Sequence, residues 1–75
     1  MHTEAKHYLR ESRAGRATLK VLGWAPLTAE QLAHVFRGRF ARGTVRQAVL
    51  VLRRLGLVRP CGRYRRARQW IAKEN

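Results

Sequence analysis

Acidic residues are what this chain has least of. Its 75 residues carry 4 carboxylates, Glu4, Glu11, Glu30 and Glu74, against 17 Lys and Arg, for a formal charge of +13. No acid falls between Gln31 and Lys73, an interval that holds Arg37, Arg39, Arg42, Arg46, Arg53, Arg54, Arg59 and the run from Arg63 to Arg68. Charge of one sign at this density repels itself unless a polyanion offsets it, so the partner class implied is nucleic acid. A codon preference accounts for arginine over lysine, but not for missing acids. The four glutamates lie on separate segments, with no nucleophile, base and orienting group assembled around any of them, which argues against catalysis.

Cysteine is nearly absent as well. Cys61 stands alone, which excludes an intramolecular disulfide and a thiolate set for structural zinc. His2, His7 and His34 offer no ligand spacing, so neither a metal nor a cofactor is expected. No apolar run approaches the roughly 20 residues of a spanning helix. The opening Met1-His2-Thr3-Glu4 lacks the basic-then-apolar order of a secretory leader. A cytoplasmic, nucleoid-associated protein is the expectation. So short a chain builds one small core and leaves little room for an enclosed active site or effector pocket, so a binding module is expected and an enzyme is not.

What is present is a clear succession of elements. Residues 1–12 are polar with a weak helical pattern through Ala5, Tyr8 and Leu9, and form either an arm or a short helix capped by Thr3. Ala14, Ala17, Val21 and Leu22 follow amphipathic helical spacing over 14–22, ended by Gly23 and the turn at Ala25-Pro26. Thr28-Ala29-Glu30-Gln31 reads as a capping box, with Leu27 and Leu32 as the hydrophobic staple. The helix it starts runs from Ala29 to Phe36 or Arg37 and buries Leu32, Ala33 and Phe36. Gly38 and Gly43 bracket a turn anchored by Phe40. A further helix spans Thr44 to about Leu55 and ends at Gly56. Leu57-Val58-Arg59 has strand character, Pro60 and Gly62 turn the chain, and Arg66 to Ala72 forms the returning strand. The fold class expected is α+β, mainly α: three helices and a C-terminal two-stranded hairpin over 13–73, behind the N-terminal segment. Trp24 and Trp70 are assigned to the core.

On a wheel of 100° per residue, Val45, Ala48, Val49, Val51, Leu52 and Leu55 share the core face of the 44–55 helix. Arg46, Gln47, Leu50, Arg53 and Arg54 occupy the other. Arginine matches the paired acceptors of guanine, and glutamine the donor and acceptor of adenine, whereas a merely solvated face mixes Glu with Lys. Leu50 suits a thymine methyl or a sugar, or a protein partner.

The order Leu27-Thr28-Ala29-Glu30-Gln31-Leu32-Ala33, Gly43-Thr44-Val45-Arg46-Gln47-Ala48-Val49 and Leu52-Arg53-Arg54-Leu55-Gly56-Leu57-Val58 resembles the winged helix-turn-helix regulators of bacteria and their phages, over about residues 14–72. The resemblance implies a domain that binds double-stranded DNA. Thr44, Arg46 and Gln47 would then face the groove from the recognition helix, joined by Arg42, Leu50, Arg53 and Arg54. Arg63, Tyr64, Arg65, Arg66 and Arg68 would form the wing. The linker 37–43 is more basic than usual for that family, which suits extra phosphate contacts. A small transcriptional regulator, acting as a homodimer, is the function expected first. A DNA-bending accessory protein of recombination or transposition, an RNA- or ribosome-binding module, and an adaptor contacting a protein through Leu50 or the N-terminal segment are the alternatives.

Overall fold

The computed structural model describes residues 3–73. Four helices and a three-stranded antiparallel sheet follow in the order α1 (Thr3–Glu11), α2 (Arg13–Leu22), β1 (Leu27–Thr28), α3 (Ala29–Val35), α4 (Arg42–Arg54), β2 (Val58–Tyr64) and β3 (Ala67–Ala72). The class is α+β and mainly helical, as the periodicity implies. No helix among the described residues is long and apolar enough to cross a membrane.

The N-terminal segment is a helix and not an arm. Thr3 is its first residue, not its cap, and Ala5 is fully buried. Tyr8 and Leu9 pack on the core from its inner face. Ser12 then separates α1 from α2 and caps the second helix, its Oγ accepting the Gly15 N–H at 2.9 Å. The side chain of Arg16 reaches back to donate to the carbonyls of Leu9 and Arg10, at 2.6 and 2.7 Å. It thereby satisfies oxygens that the end of α1 leaves open. Gly15 lets the two helices meet: a β-carbon there would lie 2.5 Å from Cε2 of Tyr8.

The capping box forms as read. Gln31 N–H donates to the Thr28 hydroxyl at 3.0 Å, and the Gln31 side chain accepts the Thr28 N–H at 2.8 Å. Helix α3 ends at Val35, and Phe36 turns into the core against Phe40, ring centroids 5.5 Å apart in an edge-on contact. Arg39 lies over both rings. Gly38 takes φ +85° to make this turn, a conformation open to glycine at little cost. Helix α4 begins at Arg42, two residues before the expected start, because the Ala41 carbonyl already accepts the Val45 N–H. It ends as expected, with Gly56 at φ +77°, Gly56 N–H donating to Arg53 and Leu57 N–H to Leu52. These paired bonds are a Schellman motif.

The sheet departs most from the sequence reading. The first strand does not stop at Arg59: β2 continues through Pro60 and Gly62 to Tyr64, and the reversal is at Arg65-Arg66. Pro60 fits because β2 is at an edge of the sheet, where its missing N–H is no loss. Gly62, at φ +75°, sits in a bulge between Pro60 and Arg63, so the strand absorbs the glycine without turning back. A third strand was not foreseen: Leu27 pairs with Trp70 and Thr28 with Gln69, giving the order β1-β3-β2. The Gln69 side chain donates to the Pro26 carbonyl at 3.3 Å and holds that junction.

Leu22, Leu32, Phe36, Val45, Val49, Leu52, Val58 and Trp70 form one core between α2, α3, α4 and the sheet. Trp70 is in it, but Trp24 is not. It is 84% exposed, because the turn after α2 carries it past the sheet instead of into it.

Two stability changes follow. Gly15→Ala should destabilise by about 1 kcal/mol, because displacing Tyr8 from its packing outweighs the helix-propensity gain of alanine. In a Tyr8→Ala background the same change should instead stabilise by about 0.5 to 1 kcal/mol. A double-mutant cycle from denaturant melts reads both signs. Thr28→Ala should cost about 1 to 2 kcal/mol by loss of the cap, seen as a lowered urea midpoint at constant m.

Candidate nucleic-acid interface

Helix α4 buries Val45, Ala48, Val49 and Leu52, and this stripe fixes the direction of every other side chain on it. At 100° per residue, Gly43, Gln47, Leu50 and Arg54 lie opposite the buried stripe. Arg42, Arg46 and Arg53 lie on one flank, and Thr44 and Val51 on the other. The sequence reading grouped Thr44, Arg46 and Gln47 on one reading face, but Arg46 and Thr44 are separated by most of the helix's outer surface.

The Arg46 flank faces the hairpin. A groove of about 330 Å³ runs between them, lined by Arg42, Arg46, Arg68, Ala67 and Trp70 with Glu30 of α3. Glu30 pairs with Arg42 at 3.0 Å, both side chains about two-thirds exposed (65% and 66%). A pair so open to water contributes little to stability, and it steers Arg42 more than it holds the fold. Arg53 is also engaged, its guanidinium 5.3 Å from the Trp70 ring centroid. It covers the outer face of the core and is less free than the wheel alone implies.

The Thr44 flank faces α1 and α2. Thr44, Gln47 and Val51 line a second groove, of about 490 Å³, with Tyr8, Ser12 and Ala14. Gln47 thus sits where the outer face meets this groove. Leu50, 51% exposed, and Arg54 complete the outer face. Gly43, at the start of the helix, has nothing within 4 Å of where a β-carbon would stand. Ala41 supplies no side-chain cap to the helix start, and the first turn holds no acid.

The hairpin concentrates charge against its own stability. Arg63 is directly opposite Arg68, and like charges so placed on one face of an antiparallel pair are destabilising. Arg68 is two residues from the buried Trp70 on β3, so this arginine pair shares the sheet face that looks into the groove beside Arg46. At the tip, Arg65 and Arg66 take φ of 49° and 68°. A two-residue hairpin loop of this kind favours Asn-Gly, and a side chain in the left-handed region costs about 1 to 2 kcal/mol. Arg65 lies over the Tyr64 ring, 5.5 Å from its centroid. Tyr64 is nearly half exposed and packs on the hairpin, on the side of the sheet away from Arg63.

The structure therefore gathers Arg42, Arg46 and Arg68 around one groove, sends Thr44 towards another that Gln47 borders, and leaves Gln47, Leu50 and Arg54 on the crest between them. Three features of this surface were missed in the sequence: the partnership of Arg42 with Glu30, the stacking of Arg53 on Trp70, and the opposition of Arg63 to Arg68. The first two depend on contacts between distant segments. The third follows from strand register, which a turn at Pro60 and Gly62 would have set differently.

No known family model matches the chain, and neither a curated protein nor a solved structure matches it.

Proposed function

We propose that the chain is a winged helix-turn-helix domain that binds double-stranded DNA with a sequence preference, in the manner of a small bacterial or phage transcriptional regulator. The observation that carries this reading is the groove lined by Arg42, Arg46 and Arg68, whose one carboxylate, Glu30, is paired with Arg42, and the facing of Arg68 by Arg63 across the hairpin. Such a surface is at its lowest energy with a polyanion against it.

Helix α4 has the dimensions for a major groove, its 13 residues spanning about 20 Å at 1.5 Å each and its diameter matching a groove about 12 Å wide. Its crest of Gln47, Leu50 and Arg54 would meet base edges. Its uncapped first turn, with Gly43 allowing close approach, suits a backbone phosphate. The hairpin arginines would lie along the flanking sugar-phosphate chain, where contacts position the protein without specifying sequence. A narrow reading surface of this size favours two copies on two half-sites. Selection from a random duplex pool tests both points, since an enriched motif reports base preference and its palindromy reports a dimer. Recovery of no motif would leave only nonspecific attraction.

Binding should fall by about a thousandfold or more between 50 and 200 mM salt, for a surface neutralising about 6 to 8 phosphates. Fluorescence anisotropy on a fixed duplex measures this, and a nearly flat dependence counts against the reading. Gln47→Ala should cost about 1 to 3 kcal/mol on the preferred site, with little effect on nonspecific binding, whereas Arg46→Ala should weaken binding to every duplex by a similar factor. The tip gives a sharper separation of stability from binding. Replacing Arg65-Arg66 by Asn-Gly should stabilise the fold by about 1 kcal/mol or more, yet weaken binding to every duplex alike. Equal affinity in that variant would free the tip of any role in binding.

A further inference from the structure

A depression of about 410 Å³ lies where the turn after α3 leads into α4. It is lined by Glu30 and His34 of α3, Arg37 and Phe40 of the turn, and Arg42, the first residue of α4. Glu30 and His34 are four residues apart on one helix and so share a face. Gly38, at φ +85°, is part of the wall, with nothing within 4 Å of where a β-carbon would stand. Glu30 and Arg42 also line the groove that runs beside Arg46 and Arg68, so the two concavities adjoin at that ion pair.

The lining is cationic, and one of its members titrates. Arg42 and Glu30 offset each other at 3.0 Å, so that with Arg37 the lining carries +1 while His34 is neutral and +2 once His34 is protonated. Arg39, the remaining cation of the turn, is engaged over the rings of Phe36 and Phe40, at 5.8 and 5.7 Å from their centroids. The first turn of α4 adds the positive end of a helix dipole, with neither an acid nor a side-chain cap to offset it. His34, Arg37 and Arg42 are all exposed, so an anion can reach them from solvent.

We propose that this depression seats one backbone phosphate of the duplex, held by Arg37 and Arg42 and, when protonated, by His34, so that affinity for DNA rises as the pH falls. The inference rests on the duplex-binding reading and adds to it a contact site and a proton linkage. A phosphodiester keeps its single negative charge throughout the range in which imidazole titrates, and guanidinium offers it paired N–H donors. The sign follows from the lining: imidazole gains its proton as the pH falls from 8 towards 5, the local charge doubles, and the bound anion is favoured on the acid side. By reciprocity, the duplex favours the proton on His34.

The test is a set of anisotropy titrations of a fixed duplex at constant ionic strength, at about pH 5.5 and about pH 7.5, where carboxylates stay ionised and imidazoles change. The full chain is compared with His34→Gln, His7→Gln and Arg37→Ala, whose altered side chains are all exposed, so the parent melting temperature should be kept. The parent should bind about two- to fivefold more tightly at the lower pH, the range of one exposed charge pair. His34→Gln should lose that gain, and His7→Gln, which alters an imidazole of α1, should keep it. Arg37→Ala should weaken binding to every duplex at both pH values and lower the salt slope by about one. A gain that survives His34→Gln, a parent without any gain, or Arg37→Ala binding as tightly as the parent overturns the proposal and leaves duplex binding standing. A parent that binds no duplex at either pH overturns the reading beneath it as well. Inorganic phosphate at the same ionic strength should not displace the duplex. Displacement that depends on His34 would assign the depression to a free anion and also overturns the proposal.

Discussion

Burial of the apolar stripe of α4 is the constraint on which the rest of this structure depends. Val45, Val49 and Leu52 meet Leu22 of α2, Leu32 of α3 and Trp70 of β3 in one small cluster. A domain of this size has no second core to compensate for a loss there. Once those side chains point inward, the rotation per residue of the helix sets which arginines look towards the hairpin and which polar groups look towards α1 and α2. Trp70 completes the link: its position opposite Leu27 on one side and Pro60 on the other ties both neighbouring strands to the helix packing, and Arg53 covers its ring.

Around that core the surface is organised against its own isolated stability. Arg63 faces Arg68 across the hairpin, and two arginines make a left-handed turn for which asparagine and glycine are better suited. Elsewhere the chain obeys local rules closely. Thr28 and Gln31 cap one helix reciprocally, Ser12 caps another, and Gly56 ends α4 in a Schellman motif. Natural sequences break such rules mainly where function asks for it, and here the exceptions cluster on the face that the proposed reading sets against nucleic acid. Glu30 fits the same pattern. It stands near the positive end of α3, where an acid is favoured by the helix dipole, and it orients Arg42 at the margin of the arginine groove.

Much of the fold was legible because its signals are local. A capping box needs four residues, a helix stop needs one glycine, and an amphipathic stripe needs one helix; each decides its own conformation with little help from elsewhere. This is why α2, α3 and α4 follow from the sequence to within two residues, as does the buried side of α4 apart from Val51 and Leu55, which the helix period sets at the margins of the stripe and which are only half-buried. The composition likewise determined the strongly positive surface of the molecule, since no fold can hide eleven arginines in an acid-free interval of a chain this short. What only the tertiary structure decided involves pairing at a distance. The two residues of β1 have no strand signal of their own and become a strand because β3 offers them an edge. The glycine of a bulge and the glycine of a turn look alike until a partner strand sets the register, so the reversal moved from Pro60 and Gly62 to Arg65 and Arg66. Trp24 and Trp70 are the same residue type, and the path of the chain after α2 leaves one in solvent while the sheet carries the other into the core. The division of Thr44 from Arg46 was available from the helix period, but the grooves they line exist only because α1 packs on α2 and the hairpin folds beside α4. A single sequence encodes local geometry directly, whereas which surfaces meet is settled by the packing of the whole core.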